Sequence, residues 1–549
     1  MGLPVGSLSA RPSLLERTRP MTPWTQQYNP LGGAVASTLV ALLPIAVLLG
    51  LLASHRMRAH WAAVVGLAAA TTVAVAAIGM PLGLAVRAAA YGAAYGLFPI
   101  GWILLNVLFL YQLTVDKGLF DVLQQSIAHV TTDRRLQLVL IAFCFGAFFE
   151  GAAGFGTPVA VTAALLIGLG FPALDASVYS LIANTAPVAF GALGTPLVAL
   201  QGVTGLDLRD LSAMVGHQLP PFSLLIPFWL VVAYVGVKQT LEVWPALLVA
   251  GISFAVPQYL VATYHGPWLV DVVASICSMS ALSLFLRVWR PSIAPVATAS
   301  SADRRAIIRA WTPWVILTVV VFAWGTPQLK GWLNGLSAPA FNVAGLHSMV
   351  MRVPPVVAAP RAEAAVFTFN WLSATGSGIA LAALIGGLVM GCSPQLMART
   401  YVMNAKRLVP SLITISAMMA LGYVTRYSGT DTILGLAFAH AGVLYPFFGT
   451  MLGWLGVALT GSDTSSNVLF GGLQVVTANQ LGINPVLMAA ANSSGGVMGK
   501  MIDAQSIVVA SAATGARGDE GTILRRVFWH SVALASLMGL WVLAQASFG

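Results

Sequence analysis

Charge is what this chain lacks. Asp, Glu, Lys and Arg make up only 8% of its 549 residues, against about 25% in ordinary soluble domains. A soluble chain this long would form several domains, at roughly 100–200 residues each, and every one would need a charged surface. Lys+Arg 27 and Asp+Glu 17 are too few to cover them. The composition excludes a soluble enzyme, a disordered protein and a collagen-like fibre. Cysteine is scarce too. Cys144, Cys277 and Cys392 lie in or beside apolar segments, at spacings that suggest neither a zinc site nor a disulfide framework. They read as small packing residues. The formal charge of +10 is spread over short loops, not gathered on one face, so no nucleic-acid partner is expected. No metal or cofactor is called for.

What is present is apolar sequence, 58% of the chain. The composition predicts an all-α polytopic membrane protein with lipid around it. A spanning helix needs about 20 mainly apolar residues. Ten segments qualify: 35–53, 61–79, 91–113, 220–237, 243–263, 268–287, 308–326, 377–394, 408–424 and 527–547. Two further regions, 136–210 and 431–514, are apolar but interrupted by Gly, Pro, Asn, Ser and a few acids, and they predict more spans, some incomplete. The expected total is 12–14 membrane segments without a soluble domain. The 15 Trp and 12 Tyr suit interfacial belts.

Basic residues in short loops set orientation. Arg56 and Arg58, then Lys117, Arg134 and Arg135, then the group from Arg287 to Arg309, then Arg399, Lys406 and Arg407 can all lie in the cytoplasm. The N-terminus and the segment 327–376 then face outward. Residues 1–20 disagree, because Arg11, Arg17 and Arg19 would lie outside. Met21 follows them, so residues 1–20 read either as an N-terminal extension ahead of a native start at Met21 or as a loose tail. The chain then divides into a first half, 21–290, a cytoplasmic linker, 291–307, and a second half, 308–549.

The two interrupted regions share a pattern. GAFFEGAAGFGTP begins at Gly146 and GWLGVALTGSDTSSN at Gly453. In each, an apolar helix runs into a Gly-rich turn with an acid, Glu150 or Asp463, and a second apolar run follows. Some thirty residues later come Asn184–Thr185 and Asn492–Ser493, each Asn with a Gly seven residues on, Gly191 and Gly499. The offset between halves is about 310 residues. Irregular backbone inside a bilayer costs several kcal/mol per unpaired group, so it persists only where protein or a wet cavity satisfies it. Paired interruptions point to a transporter's substrate site. The expected arrangement is an inverted repeat of broken helices. One re-entrant hairpin lies near 146–170, entering from inside, and one near 446–480, entering from outside.

Glu150 and Asp463 are the candidate proton-coupling residues. An intramembrane carboxylate marks function by default, and burial penalises its charged form. The competing readings are an interfacial carboxylate for Glu150 and a helix N-cap for Asp463. Gly151 and Gly154 permit close backbone approach to a ligand. Ser462, Thr464, Ser465, Asn184, Thr185, Asn492, Ser493 and Ser494 offer hydrogen bonds to a small acid, although Asn and Ser also join helices. Lys500 can pair with a carboxylate or snorkel to the surface. Its string NSSGGVMGK is no P-loop, because the leading Gly is missing and Met501 replaces Ser/Thr. Arg426 and Asp431 read as an outer-surface pair. His217, His440 and His530 read as hydrogen-bonded packing.

The strings CFGAFFEGAAGFGTPVA (Cys144–Ala160), LIANTAPVAFGALGTP (Leu181–Pro196), GWLGVALTGSDTSSN and NSSGGVMGK resemble the bacterial L-lactate permease family, as do WTQQYNP and RVPPVV. The resemblance covers nearly the whole chain from Met21. Asp503 departs from the family pattern, which has a serine nearby, so a general role for it is in doubt. The resemblance implies a proton symporter that imports L-lactate, D-lactate or glycolate across the bacterial cytoplasmic (inner) membrane. Its partners would be the 2-hydroxy acid, the proton and lipid, with homo-oligomerisation left open. A channel and a carrier of another anion are the rivals from the residues alone. A hydrolase would need HExxH or GxSxG, and neither lies in a membrane segment.

Overall fold

The computed structural model describes residues 23–54, 57–128, 130–154, 157–289, 304–516 and 518–548. Residues 1–22 with Arg11, Arg17 and Arg19, the loop residue Arg56, and Arg290 with most of the linker 291–307 lie outside these ranges. Helices dominate because a helix satisfies its own backbone where lipid cannot. Among the described residues, eleven are long and apolar enough to cross a bilayer. A twelfth is reached if Ala173–Ala183 and Val188–Thr204, which meet at 66°, form one span. This meets the low end of the expected 12–14. The interrupted regions contribute two of these spans, Arg134–Ala152 and Thr430–Thr460, and otherwise break into shorter or bent helices.

One expected loop is absent. Segments 377–394 and 408–424 were to be separated by a basic loop, 395–407. The chain instead turns after the helix Thr375–Val389 and starts a single 35-residue helix, Pro394–Ser428. Ser393 caps it by accepting from Leu396 N–H at 3.2 Å, and Pro394 occupies its first turn. Arg399, Lys406 and Arg407 stay exposed on its early turns, so their charge imposes no break. The span expected at 91–113 also begins earlier. It runs from Leu82 to Asp116 with a kink at Phe98–Pro99.

Close helix approach builds the core around the second interruption. Gly453 of the helix Tyr445–Thr460 lies so near the helix Pro485–Gly499 that a methyl there would sit 2.1 Å from the Asn492 carbonyl oxygen. Small residues permit such contact in membranes.

The segment 327–376 carries the strands Ala340–Asn342 and Val366–Thr368, paired antiparallel. Trp24–Thr25 adds in parallel to Val350–Arg352. The strings WTQQYNP and RVPPVV therefore meet in space. Gln26 donates to the carbonyls of Arg426 (2.9 Å) and Tyr427 (3.0 Å), which ties this layer to the long helix.

Arg426 does not pair with Asp431. It reaches Glu363 at 2.6 Å, and Arg352 approaches the same carboxylate at 3.0 Å. Burial opposes ionisation of Glu363, but the two arginines outweigh it and hold the carboxyl below the usual glutamate range. A depressed carboxyl contributes stability above its unfolded value of about 4.3 and loses it as pH falls through the lower folded value. Glu363→Gln leaves the arginines without their partner, at a cost on the order of 3 kcal/mol. We expect its melting temperature in detergent to fall below that of wild type at neutral pH. The gap should close as pH falls below the usual glutamate range and wild type loses the same charge. A gap independent of pH would contradict the assignment.

Candidate functional site

Both interruptions open onto one cavity of about 220 Å³. On the first side, the segment Arg134–Ala152 ends in Glu150, and the chain turns through Gly154 into the helix Thr157–Gly168. Glu150 is buried, with Oε2 lacking a hydrogen-bond partner. A methyl at Gly191 would stand 2.6 Å from its Oε1. Asn184 lies close by, at the end of Ala173–Ala183, and neither atom of its amide makes a well-formed hydrogen bond.

Beyond Gly191 the backbone departs from helical geometry. Ala192 (φ 43°), Leu193 (φ 54°) and Gly194 (φ 77°) are left-handed. For the two residues with side chains this costs roughly 1–2 kcal/mol each. Such strain is held by its surroundings and tends to collect at working sites. Thr195 and Pro196 follow and line the cavity.

The second side is a tight helical hairpin. Tyr445–Thr460 ends at Gly461, and Ser462 starts Asp463–Leu481 by accepting from Ser465 N–H at 3.3 Å. Ser462, not Asp463, is therefore the cap. Asp463 occupies the first helical position, and its carboxylate is buried. Oδ2 accepts from Ser493 and, at 3.3 Å, from Asn467, while Oδ1 has no partner. Asn467 also donates to the Pro196 carbonyl at 3.2 Å, joining the two halves behind the cavity.

Lys500 does not snorkel. It is buried, donates to the Gly461 carbonyl at 2.7 Å and pairs with Asp503 at 3.3 Å. Asp503 in turn caps the helix Ala504–Thr514 through Ser506 N–H at 2.7 Å. This gives the departing acid a structural role.

Of the residues singled out from sequence, Glu150, Gly154, Ser462, Asp463, Thr464, Ser465 and Lys500 line the cavity. The others lie behind it. Gly151 packs against Asp271. Thr185 bonds back to the Ile182 carbonyl at 2.8 Å. Asn492 donates to Asn467 at 2.9 Å and accepts from Gln474 at 3.2 Å. Ser493 holds Asp463, and Ser494 is buried with its hydroxyl unpaired. His217, His440 and His530 each have a local partner. The sequence reading missed Thr195, His60, Ser411 and Thr414, which complete the wall. Single hydroxyls on ordinary apolar helices carry no signal of their own.

A second cavity, of about 440 Å³, lies by the 327–376 segment, lined by Tyr95, Gln201, Trp268, Lys330, Tyr423 and Arg426 among others. Burial and the nearby Arg209 push the Lys330 ammonium below the usual lysine range. The helix Gly191–Thr204 borders both spaces. Thr195 and Pro196 face the first, Val198 and Gln201 the second.

The family model described as L-lactate permease matches residues 37–548. The chain is 45% identical to the glycolate permease GlcA of Escherichia coli K12, over 96% of this chain and 98% of that one. It is 42% identical to the L-lactate permease of Bacillus subtilis 168, over 94% and 97%. A solved structure, Neisseria gonorrhoeae MtrF, superposes with a TM-score of 0.44 at 14% identity, covering 84% of this chain and 83% of that one. With a family match over nearly its full length and such close full-length relatives, this multi-pass membrane protein belongs to the L-lactate permease family.

Proposed function

We propose that this chain is a secondary transporter, with no catalytic step, that carries lactate and glycolate with a proton into the bacterial cell across the cytoplasmic membrane. The observation that carries this reading is the meeting of Glu150, Asp463 and Lys500 in one small cavity between two helix breaks. The substrates are those named for the relatives at 45% and 42% identity.

A lactate anion leaving water needs donors and positive potential. The helix beginning at Asp463 supplies a partial positive charge and unpaired N–H groups at its N-terminus. Ser462, Thr464, Ser465 and Thr195 add hydroxyls, and Lys500, held by Asp503 and the Gly461 carbonyl, adds a further donor. Two carboxylates in the same space would repel the substrate. Protonation of Glu150 or Asp463 removes that repulsion, so proton and substrate favour each other's binding. By linkage the effect is reciprocal. Asp463 is held by Ser493 and Asn467, whereas Oε2 of Glu150 has no partner. Glu150 is thus the freer of the two to exchange a proton.

The cavity holding His60 faces the cytoplasm in this reading, and the one beside 327–376 faces outward. The two halves then form an inverted repeat whose hairpins enter from opposite faces, with the N-terminus outside. Single cysteines at Leu169 and His440, in a background lacking Cys144, Cys277 and Cys392, test it. Membrane-impermeant maleimide is expected to label Leu169 only from the cytoplasmic side and His440 only from outside. Labelling of both from one side would remove the inversion.

Glu150→Gln keeps shape and removes the titration. We expect it to insert normally and to lose on the order of 10²-fold or more of pH-driven lactate uptake. Full pH-dependent uptake in this variant would refute the role of Glu150.

A further inference from the structure

Asp271 is unused by the mechanism above and was not evident from the sequence. It lies in the first turn of the helix Val270–Val288, is 1% exposed, and has no hydrogen-bond partner on either carboxylate oxygen. A buried carboxylate is ordinarily met by donors or a cation, since leaving it bare forfeits its whole hydration. Here neither is supplied. Among the described residues, the elements packed closely on this helix bring Glu150 and the thiol of Cys144, which bonds to Ser278 at 3.3 Å, but no basic side chain. His265, in the preceding turn, is turned away to the Phe322 carbonyl at 3.0 Å.

Its position is specific. A methyl at Gly151 would fall 2.7 Å from the Asp271 Cβ, so the residue following Glu150 rests on it. Trp268, one turn before Asp271, lines the outer cavity, whereas Glu150 lines the inner one. Pro267 packs against Gly194, at the end of the left-handed kink, and Gly191, which precedes that kink, lies against the Glu150 carboxyl. Asp271 therefore stands between the two cavities, beside the strained turn and outside the lining of both.

We propose that Asp271 is a second proton-carrying site, passing protons between the outer cavity and Glu150 along a path separate from the substrate's. A proton leaves hydronium in the outer cavity and binds a carboxylate oxygen of Asp271. It then moves to Glu150, directly or through a water. In direct transfer the O–H bond of Asp271 breaks as that of Glu150 forms; in the relay the water takes the Asp271 proton as it gives one of its own to Glu150, and is left unchanged. This rests on the symport reading and adds the route by which Glu150 is recharged.

Asp271→Asn mimics the protonated acid but carries no proton onward. In proteoliposomes, lactate accumulation driven by a pH gradient should fall by about tenfold or more. Exchange of labelled for unlabelled lactate, which needs no net proton movement, should stay within about twofold of wild type. Asp271→Ser, smaller and also uncharged, gives the same comparison should the amide disturb packing. Driven uptake with wild-type pH dependence in either folded variant would overturn the proposal. Loss of exchange in step with driven uptake in both variants would also overturn it, assigning Asp271 a purely structural role. Wild-type vesicles that move lactate without a proton would instead sink the symport reading, and this inference with it.

Discussion

The arrangement depends on one constraint: polar groups removed from water must find partners inside the protein. Most of the chain meets it with unbroken helices. At Gly154, at Ala192–Gly194 and at Gly461–Ser462 the helices stop, and their ends must be satisfied in another way. Serine and asparagine side chains do this for the second interruption, where Ser462 caps a helix and Ser493, Asn467, Asn492 and Gln474 form a connected network. Among the described residues, the first interruption has no equivalent network. Glu150, Asn184 and Asp271 all retain unpaired polar atoms there.

That asymmetry gives the two halves different work. Asp463 is fixed by its neighbours, and through Asn467 it is tied to the Pro196 carbonyl of the other half. Such a site positions groups well but exchanges a proton only by disturbing several bonds. The Glu150 side is packed tightly by glycines yet bonded loosely, and its backbone is strained at Ala192 and Leu193. A region with that combination responds most to a change in charge. In the proposed symport, proton traffic would fall to the loose side and substrate alignment to the fixed side.

Much of this was legible in the residues. The apolar runs gave nearly all the long helices, and Gly-rich turns beside single acids marked both breaks. The cavity-lining group Glu150, Gly154, Ser462, Asp463, Thr464, Ser465 and Lys500 could be named before any coordinates. Three things could not. Arg399, Lys406 and Arg407 suggested a loop, but an exposed helical face accommodates charge equally well. Asn492 and Ser493 looked like ligand donors, but donors that meet each other across a helix pair have the same composition. Asp271 opens a helix just after the short turn HGPWL, where an acid ordinarily reads as an interfacial or capping residue. Only the fold brings it against Gly151 and buries it.

The central claim is that a single small acid binds between the two breaks. The most direct measurement is an experimental density map of the protein in lipid nanodiscs with and without saturating L-lactate. The account predicts added density in the cavity bounded by Gly154, Thr195 and Ser462–Ser465, with its carboxylate toward the first turn of the helix Asp463–Leu481. Continuous helices through both breaks, or lactate bound only in the second cavity beside Lys330, would contradict it.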